Sequence, residues 1–327
     1  MRRLTALALS SAVVAMLLTG CGSGGRTTST PTPSASPQTS GTPTPSGPSQ
    51  ASSSPLPRVR GNDIAYTKPN HIWRVHADGS DAVQLTRGQG FDGAPAWSPD
   101  HTQIAFVHAA DETSLTESAL CVAGASGGRV ASWSFHLKLF GLCYSPDGRR
   151  IAFTALRLTN PMVEPVAVFD PASGTTTVVC RLHDQFTTGM SVSWSPDGTR
   201  LLLGLGRQDA EGQRTGVLTL ASGKLVWLRT PDACEAHWSP DGRSIVMTQA
   251  SQDYTAVSIA DTDGTLRRVL ARGSGLGGGG HPVLGGCYSP DGSRVAFWSG
   301  GSIWTIGVDG TGRHKVIAGL GYAWSPR

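Results

Sequence analysis

The chain has 327 residues, with 27 Lys and Arg against 23 Asp and Glu, and its 42 Gly and 21 Pro make up close to a fifth of it. Charged residues reach only 15%, which in so Gly- and Pro-rich a chain excludes a helical bundle or coiled coil, while 39% hydrophobic residues suffice for a sizeable core. Arg2 and Arg3 belong to the leader described next, so the remainder is nearly neutral and offers no basic surface for nucleic acid.

Met1-Arg2-Arg3 is a basic start, and Leu4 to Leu18 is an apolar run broken only by Thr and Ser. The run is shorter than the ~20 residues that span a bilayer and reads as the core of a secretory signal. Leu18-Thr19-Gly20-Cys21 resembles the lipobox of bacterial lipoproteins. That resemblance implies cleavage between Gly20 and Cys21 and acylation of the Cys21 thiol, leaving the protein lipid-anchored on the extracytoplasmic side of the cell membrane. Residues 22–57 are almost wholly Ser, Thr, Pro, Gly, Ala and Gln, a composition that buries too little apolar area to fold. The expected organisation is a signal peptide over 1–20, a lipidated cysteine and disordered stalk over 21–57, and a folded domain over 58–327. Extended toward polyproline II, the stalk reaches on the order of 110 Å.

From there on, one unit recurs six times. Its marker is an aromatic residue followed by Ser-Pro-Asp-Gly: at Trp97, Tyr144, Trp194, Trp238, Tyr288 and, truncated, Trp324. After each full copy comes an apolar strand, such as Ile104–Val107, Leu201–Leu203 or Val295–Phe297. A second alternating strand then ends in Asp/Gly turn chemistry, as in Ile72–Val75 before Asp78-Gly79, and a short last strand closes the unit. Ser caps the turn, Pro fixes φ near −65°, Asp favours the third position and Gly supplies the left-handed residue. In the second blade His101 replaces that Gly.

Four short strands per ~45 residues, joined as a meander, predict a β-propeller blade. With the motif joining the innermost strand to the second, the domain begins on a second strand, Asp63 to Thr67, and ends on a lone innermost strand, Gly321 to Ser325. The orphaned halves complement each other. The expected fold is therefore all-β: six four-stranded antiparallel blades, closed by the C-terminal strand pairing with the first blade. These repeats are similar to the WD-like SPDG repeats of the C-terminal propeller of the TolB family and of the wider six-bladed group that includes prolyl-oligopeptidase-type propellers. The resemblance covers about residues 58–327. TolB carries an additional N-terminal α/β domain where a stalk is expected here, so partner recognition through such a domain is not expected to carry over.

Motifs of known chemistry reduce to turns. Gly124-Ala125-Ser126-Gly127-Gly128 matches a nucleophile elbow but falls on a strand–strand hairpin, and no chain remains for a hydrolase domain. Gly273-Ser274-Gly275-Leu276-Gly277-Gly278 matches a phosphate loop, yet no helix follows. Asp261-Thr262-Asp263-Gly264 opens like a calcium loop but lacks the distal Glu. No His pair stands at metal spacing, and no cofactor is expected. His237 sits just before a motif aromatic, where an innermost strand faces the channel, and Glu235 is the one acid near such a position. The five cysteines after Cys21 read as free thiols for the most part. Cys143 and Cys287 hold the same repeat position in blades three apart, too distant for a bridge.

The irregular sequence lies in loops opposite the SPDG turns, and that face carries the candidate binding residues: Phe91, Asp111, Glu112, Phe135, His136, Phe140, His183, Asp184, Phe186 and His281, with His237 in the channel. Acids mixed with aromatics suit a protein or peptide partner in the cell envelope. The expected function is a monomeric, non-catalytic binding scaffold. The alternative is a channel-centred propeller enzyme, such as a lactonase-like hydrolase, a sugar oxidoreductase or a lyase.

Overall fold

A computed structural model describes residues 61–111, 117–156, 163–183, 186–207, 213–230, 232–276 and 280–324. Cys21, the leader, the stalk, Glu112 and Asp184 lie outside them. Among the described residues, twenty-four strands form six four-stranded sheets. The first blade contains β1 (Asp63–Thr67), β2 (Ile72–His76) and β3 (Val83–Gln84). The second runs β4 (Phe91–Trp97), β5 (Gln103–Ala109), β6 (Ser118–Gly124), β7 (Arg129–Phe135). The third is β8 (Lys138–Tyr144), β9 (Ile151–Leu156), β10 (Val163–Asp170), β11 (Thr175–His183). The fourth is β12 (Phe186–Trp194), β13 (Arg200–Arg207), β14 (Gln213–Thr219), β15 (Lys224–Trp227). The fifth is β16 (Ala233–Trp238), β17 (Ser244–Ala250), β18 (Tyr254–Asp261), β19 (Leu266–Ser274). The sixth is β20 (Val283–Tyr288), β21 (Arg294–Ser299), β22 (Ser302–Gly307), β23 (His314–Ala318), and β24 (Leu320–Trp324) returns to the first blade.

Every pairing within the blades is antiparallel, and the predicted closure is present: Ile64 faces Trp324, Ala65 faces Ala323 and Tyr66 faces Tyr322 across β1 and β24. The Trp324 indole donates to Asn62 Oδ1 at 2.7 Å, a side-chain latch beside the strand ladder. The edge of β1 that would otherwise be exposed is covered by β24.

The SPDG turn is built the same way five times. The Ser hydroxyl donates to the Asp carboxylate two residues on, at 2.5–2.6 Å. The same oxygen accepts the backbone N–H five residues on, at 2.9–3.0 Å. Gly148, Gly198, Gly242 and Gly292 take φ of 69–73°, and His101 follows them at 61°. Successive turns nest, since a methyl on Gly148 would meet Pro99 and one on Gly242 would meet Pro196. Between blades, the Arg150 guanidinium covers the Trp194 ring at 5.2 Å and Arg200 covers Trp238 at 4.8 Å.

The Gly124–Gly128 segment is the hairpin between β6 and β7, with Gly127 and Gly128 at positive φ. Asp261–Gly264 likewise turns between β18 and β19, and the Gly264 N–H bonds the Asp261 carbonyl. Cys121, Cys143, Cys180, Cys234 and Cys287 are not joined in disulfides. The connections opposite the SPDG turns are shorter than the sequence suggests. Phe91, Phe135 and Phe140 lie within strands, not loops.

Candidate functional site

Innermost strands β4, β8, β12, β16, β20 and β24 surround a central cavity of about 240 Å³. Each of them carries an irregularity in its pairing with the next strand, two to five residues ahead of the motif aromatic. A bulge of this kind re-aims the backbone and breaks the two-residue alternation of side chains. As a result, neighbours in sequence line the cavity together: Gly141 with Leu142, Ser191 with Val192, Gly285 with Gly286 and Cys287.

Three residues before the motif aromatic stand Ala94, Gly141, Ser191, Glu235, Gly285 and Gly321, and all six line the cavity. The ring so formed is five small residues and one glutamate. Ala94 takes φ of 50°, a left-handed conformation shared with Gly285 at 69°. A side chain on Gly285 would strike the Tyr322 hydroxyl, so the small residues also keep room opposite the acid. The Gly285 N–H donates to the Glu235 carboxylate, whereas Glu235 Oε2, shielded from solvent, has no hydrogen-bond partner. Burial pushes the Glu235 carboxyl up to about 7 and the His237 imidazole down to about 4. Both groups are thus biased toward neutrality. Tyr322 donates its hydroxyl to the Ala296 carbonyl at 3.0 Å, and burial raises its pKa well above the ordinary value. The Cys143 thiol is pushed up to about 11 by burial, and that of Cys287 is raised for the same reason. Toward the loop face the lining includes Phe91, Phe140, Asp111 and Lys138.

Of the candidate residues, Phe91, Asp111, Phe140 and His237 therefore meet at one cavity. Phe135 does not join them: its ring packs edge-on against Phe153 at 5.4 Å and Phe169 at 5.9 Å, in the contact between the second and third blades. His136 stands away from the cavity, 93% exposed beside Glu117 at 3.3 Å. His281 is exposed at the approach to β20, where its carbonyl accepts from the Ser274 N–H. The backbones of His183 and Phe186 end β11 and begin β12. Lys138, Ser191 and Tyr322 went unpredicted. Aligning the repeats three positions ahead of the aromatic, rather than one, would have exposed Glu235 and Ser191 as members of one ring. Among the described residues, no three His, Cys, Asp or Glu side chains converge as metal ligands.

Asp92 illustrates an acid on an innermost strand used elsewhere. It accepts from Thr86 Oγ1 at 2.6 Å and pairs with His108 Nδ1 at 2.7 Å, tying the first blade to the second.

Comparison with known proteins agrees with this architecture. Tricorn protease homolog 1 of Streptomyces coelicolor is 27% identical over 281 residues, 82% of this chain and 25% of the relative. The chain thus spans about a quarter of that protein. The crystal structure of TolB from Acinetobacter baumannii matches with a TM-score of 0.67 at 20% identity, covering 81% of this chain and 67% of the other. A chain of the nidogen/laminin complex matches at 0.61 and 11% identity, over 81% and 98%. These two structural likenesses show the fold. Residues 62–326 match the PD40 family, described as the TolB beta propeller domain, and with six blades, five of them built around the recurring Ser-Pro-Asp turn and the first completed by the last strand, the chain belongs to that family.

Proposed function

We propose that the protein is an envelope binding lipoprotein: a non-catalytic propeller, tethered through acylated Cys21, that receives a polypeptide partner at the face onto which the central cavity opens. The observation that carries this reading is the convergence of Phe91, Phe140, Asp111 and His237, brought from three blades and a connecting loop, on one partly apolar cavity. Loops and strand ends on a rigid scaffold are where propellers present binding residues. The raised thiols of Cys143 and Cys287 support a non-catalytic role, because a protonated thiol is a poor nucleophile. The nidogen/laminin structure provides a chain of similar fold within a protein–protein complex.

Site-specific photocrosslinking in cells tests it. A crosslinker at Phe91 or Phe140 is expected to capture a discrete protein adduct, and one at Val226, half-exposed on an outermost strand, is not. Equal capture from both surfaces overturns the reading. For the anchor, Cys21→Ala is expected to move the protein out of the membrane fraction.

The Glu235 carboxyl favours a second reading, since about 7 lies in the range of a general acid. Turnover in an esterase and lactonase screen that disappears in Glu235→Gln would establish the channel-centred enzyme instead.

A further inference from the structure

We propose that the ring of five small residues and Glu235 is a receptor for an organic cation, an ammonium or guanidinium group carried on a short apolar stem that enters from the loop face. This deepens the binding role proposed above and rests on it.

Three features point to that ligand. First, the acid is singular: at the equivalent position the other blades place Ala94, Gly141, Ser191, Gly285 and Gly321. A structural need for a side chain there would be met alike in every blade, and it is not. Second, the carboxylate is half-served. One backbone N–H, from Gly285, reaches it, and Oε2 is left without a partner although it is out of contact with solvent. An unpaired buried acceptor is costly unless something supplies a donor, and a cation supplies both donors and charge. Third, the walls leading to it are mostly apolar or aromatic, with Phe140, Leu142 and Val192 along the way and Lys138 and Asp111 as the charged exceptions. These walls suit the methylenes of an alkylammonium. A cavity of about 240 Å³ lies below the ~300–1,000 Å³ typical of drug-sized ligands, so the occupant is a side chain or a small amine.

The shared chemistry comes from two sources, a Lys or Arg side chain of a polypeptide or a free amine. Isothermal titration of the full chain in detergent at pH 8 separates them, using n-butylamine, 1-butanol, a capped Gly-Lys-Gly peptide and its norleucine analogue. At that pH Glu235 is ionised, and the groups around it, namely His237, Cys143, Cys234, Cys287 and Tyr322, are neutral; Lys138 and Asp111 line the approach. Butylamine is expected to bind at least tenfold more tightly than butanol, and the lysine peptide at least tenfold more tightly than its norleucine analogue. Glu235→Gln is expected to reduce both ratios to within twofold. Glu235→Asp, which keeps the charge and withdraws it by one methylene, is expected to give intermediate ratios and serves if Glu235→Gln fails to fold by thermal melt. Tighter binding of the peptide than of butylamine identifies a polypeptide source, and the reverse a free amine.

Ratios near one in the parent protein, or preferences that survive Glu235→Gln, overturn the proposal. Equal binding of both peptides would overturn the cation as the ligand while leaving the cavity a binding site. Binding of no compound at millimolar concentration would overturn the proposal as well; crosslinking from Phe91 would then decide separately whether the face binds a partner.

Discussion

Glu235 and His237 lie two residues apart on β16, and burial moves their protonation in opposite directions. The carboxyl titrates at about 7 when folded against an ordinary 4.5. Over that interval the folded state holds a proton the unfolded chain has lost, so stability falls as pH rises. The imidazole titrates at about 4 against 6.5. There the unfolded chain takes up the proton first, so stability falls as pH drops. Between 4.5 and 6.5 the two slopes oppose each other, and single substitutions should unmask them. Urea unfolding across a pH series should show Glu235→Gln gaining on the parent as pH rises from 4.5 to 7, by on the order of 3 kcal/mol. His237→Gln should gain on the parent as pH falls from 6.5 to 4, by a similar amount. A flat difference in either series would show that the side chain is solvated. His237 was legible in the sequence as a channel residue because the motif fixes its position. The weight of Glu235 was not, because its isolation depends on what five other strands place around it.

The recurring element is the turn, and its chemistry is local. Ser195 is fully buried, and its hydroxyl serves Asp197, the Arg200 N–H and the Arg200 carbonyl at once. Ser195→Ala leaves the Arg200 N–H without its acceptor, while the Arg200 carbonyl keeps the Ser195 N–H, and should cost about 1–3 kcal/mol in chemical denaturation. The five motif aspartates are held below the ordinary carboxylate range, first by the Ser hydroxyl that donates to each. Their contribution is present above the ordinary aspartate pKa and is lost as pH falls through the lower folded values. His101 is the informative exception. Its φ of 61° follows the four glycines at the expense of Cβ strain. His101→Gly should raise stability by about 0.5–1 kcal/mol, measured as an upward shift in Tm. Because each turn is specified by five consecutive residues, the sequence reading placed all five full turns and the strands on either side.

At the scale of the molecule, stability depends on closing the ring. Trp324 is 5% exposed, and its indole both packs in the seam and bonds Asn62. Trp324→Ala should cost about 3–5 kcal/mol by denaturant unfolding. A loss below 1 kcal/mol would mean that the first blade stands without its borrowed strand. Closure was predictable because a chain that begins on a second strand and ends on an innermost one has a single way to complete six sheets.

The sequence by itself determined the number of blades, their order, the joining turn and the seam, since each follows from a motif whose chemistry is complete within a few residues. Only the tertiary structure decided which side chains meet in the channel and which fill the seams between blades. Phe135, read as a surface aromatic, became packing between neighbouring sheets, and Glu235 became the lone acid of a six-membered ring. The reason is physical: bulges on the innermost strands break the alternation that would otherwise reveal which residues face inward. Whether a buried group is left without a partner depends on atoms contributed from across the channel.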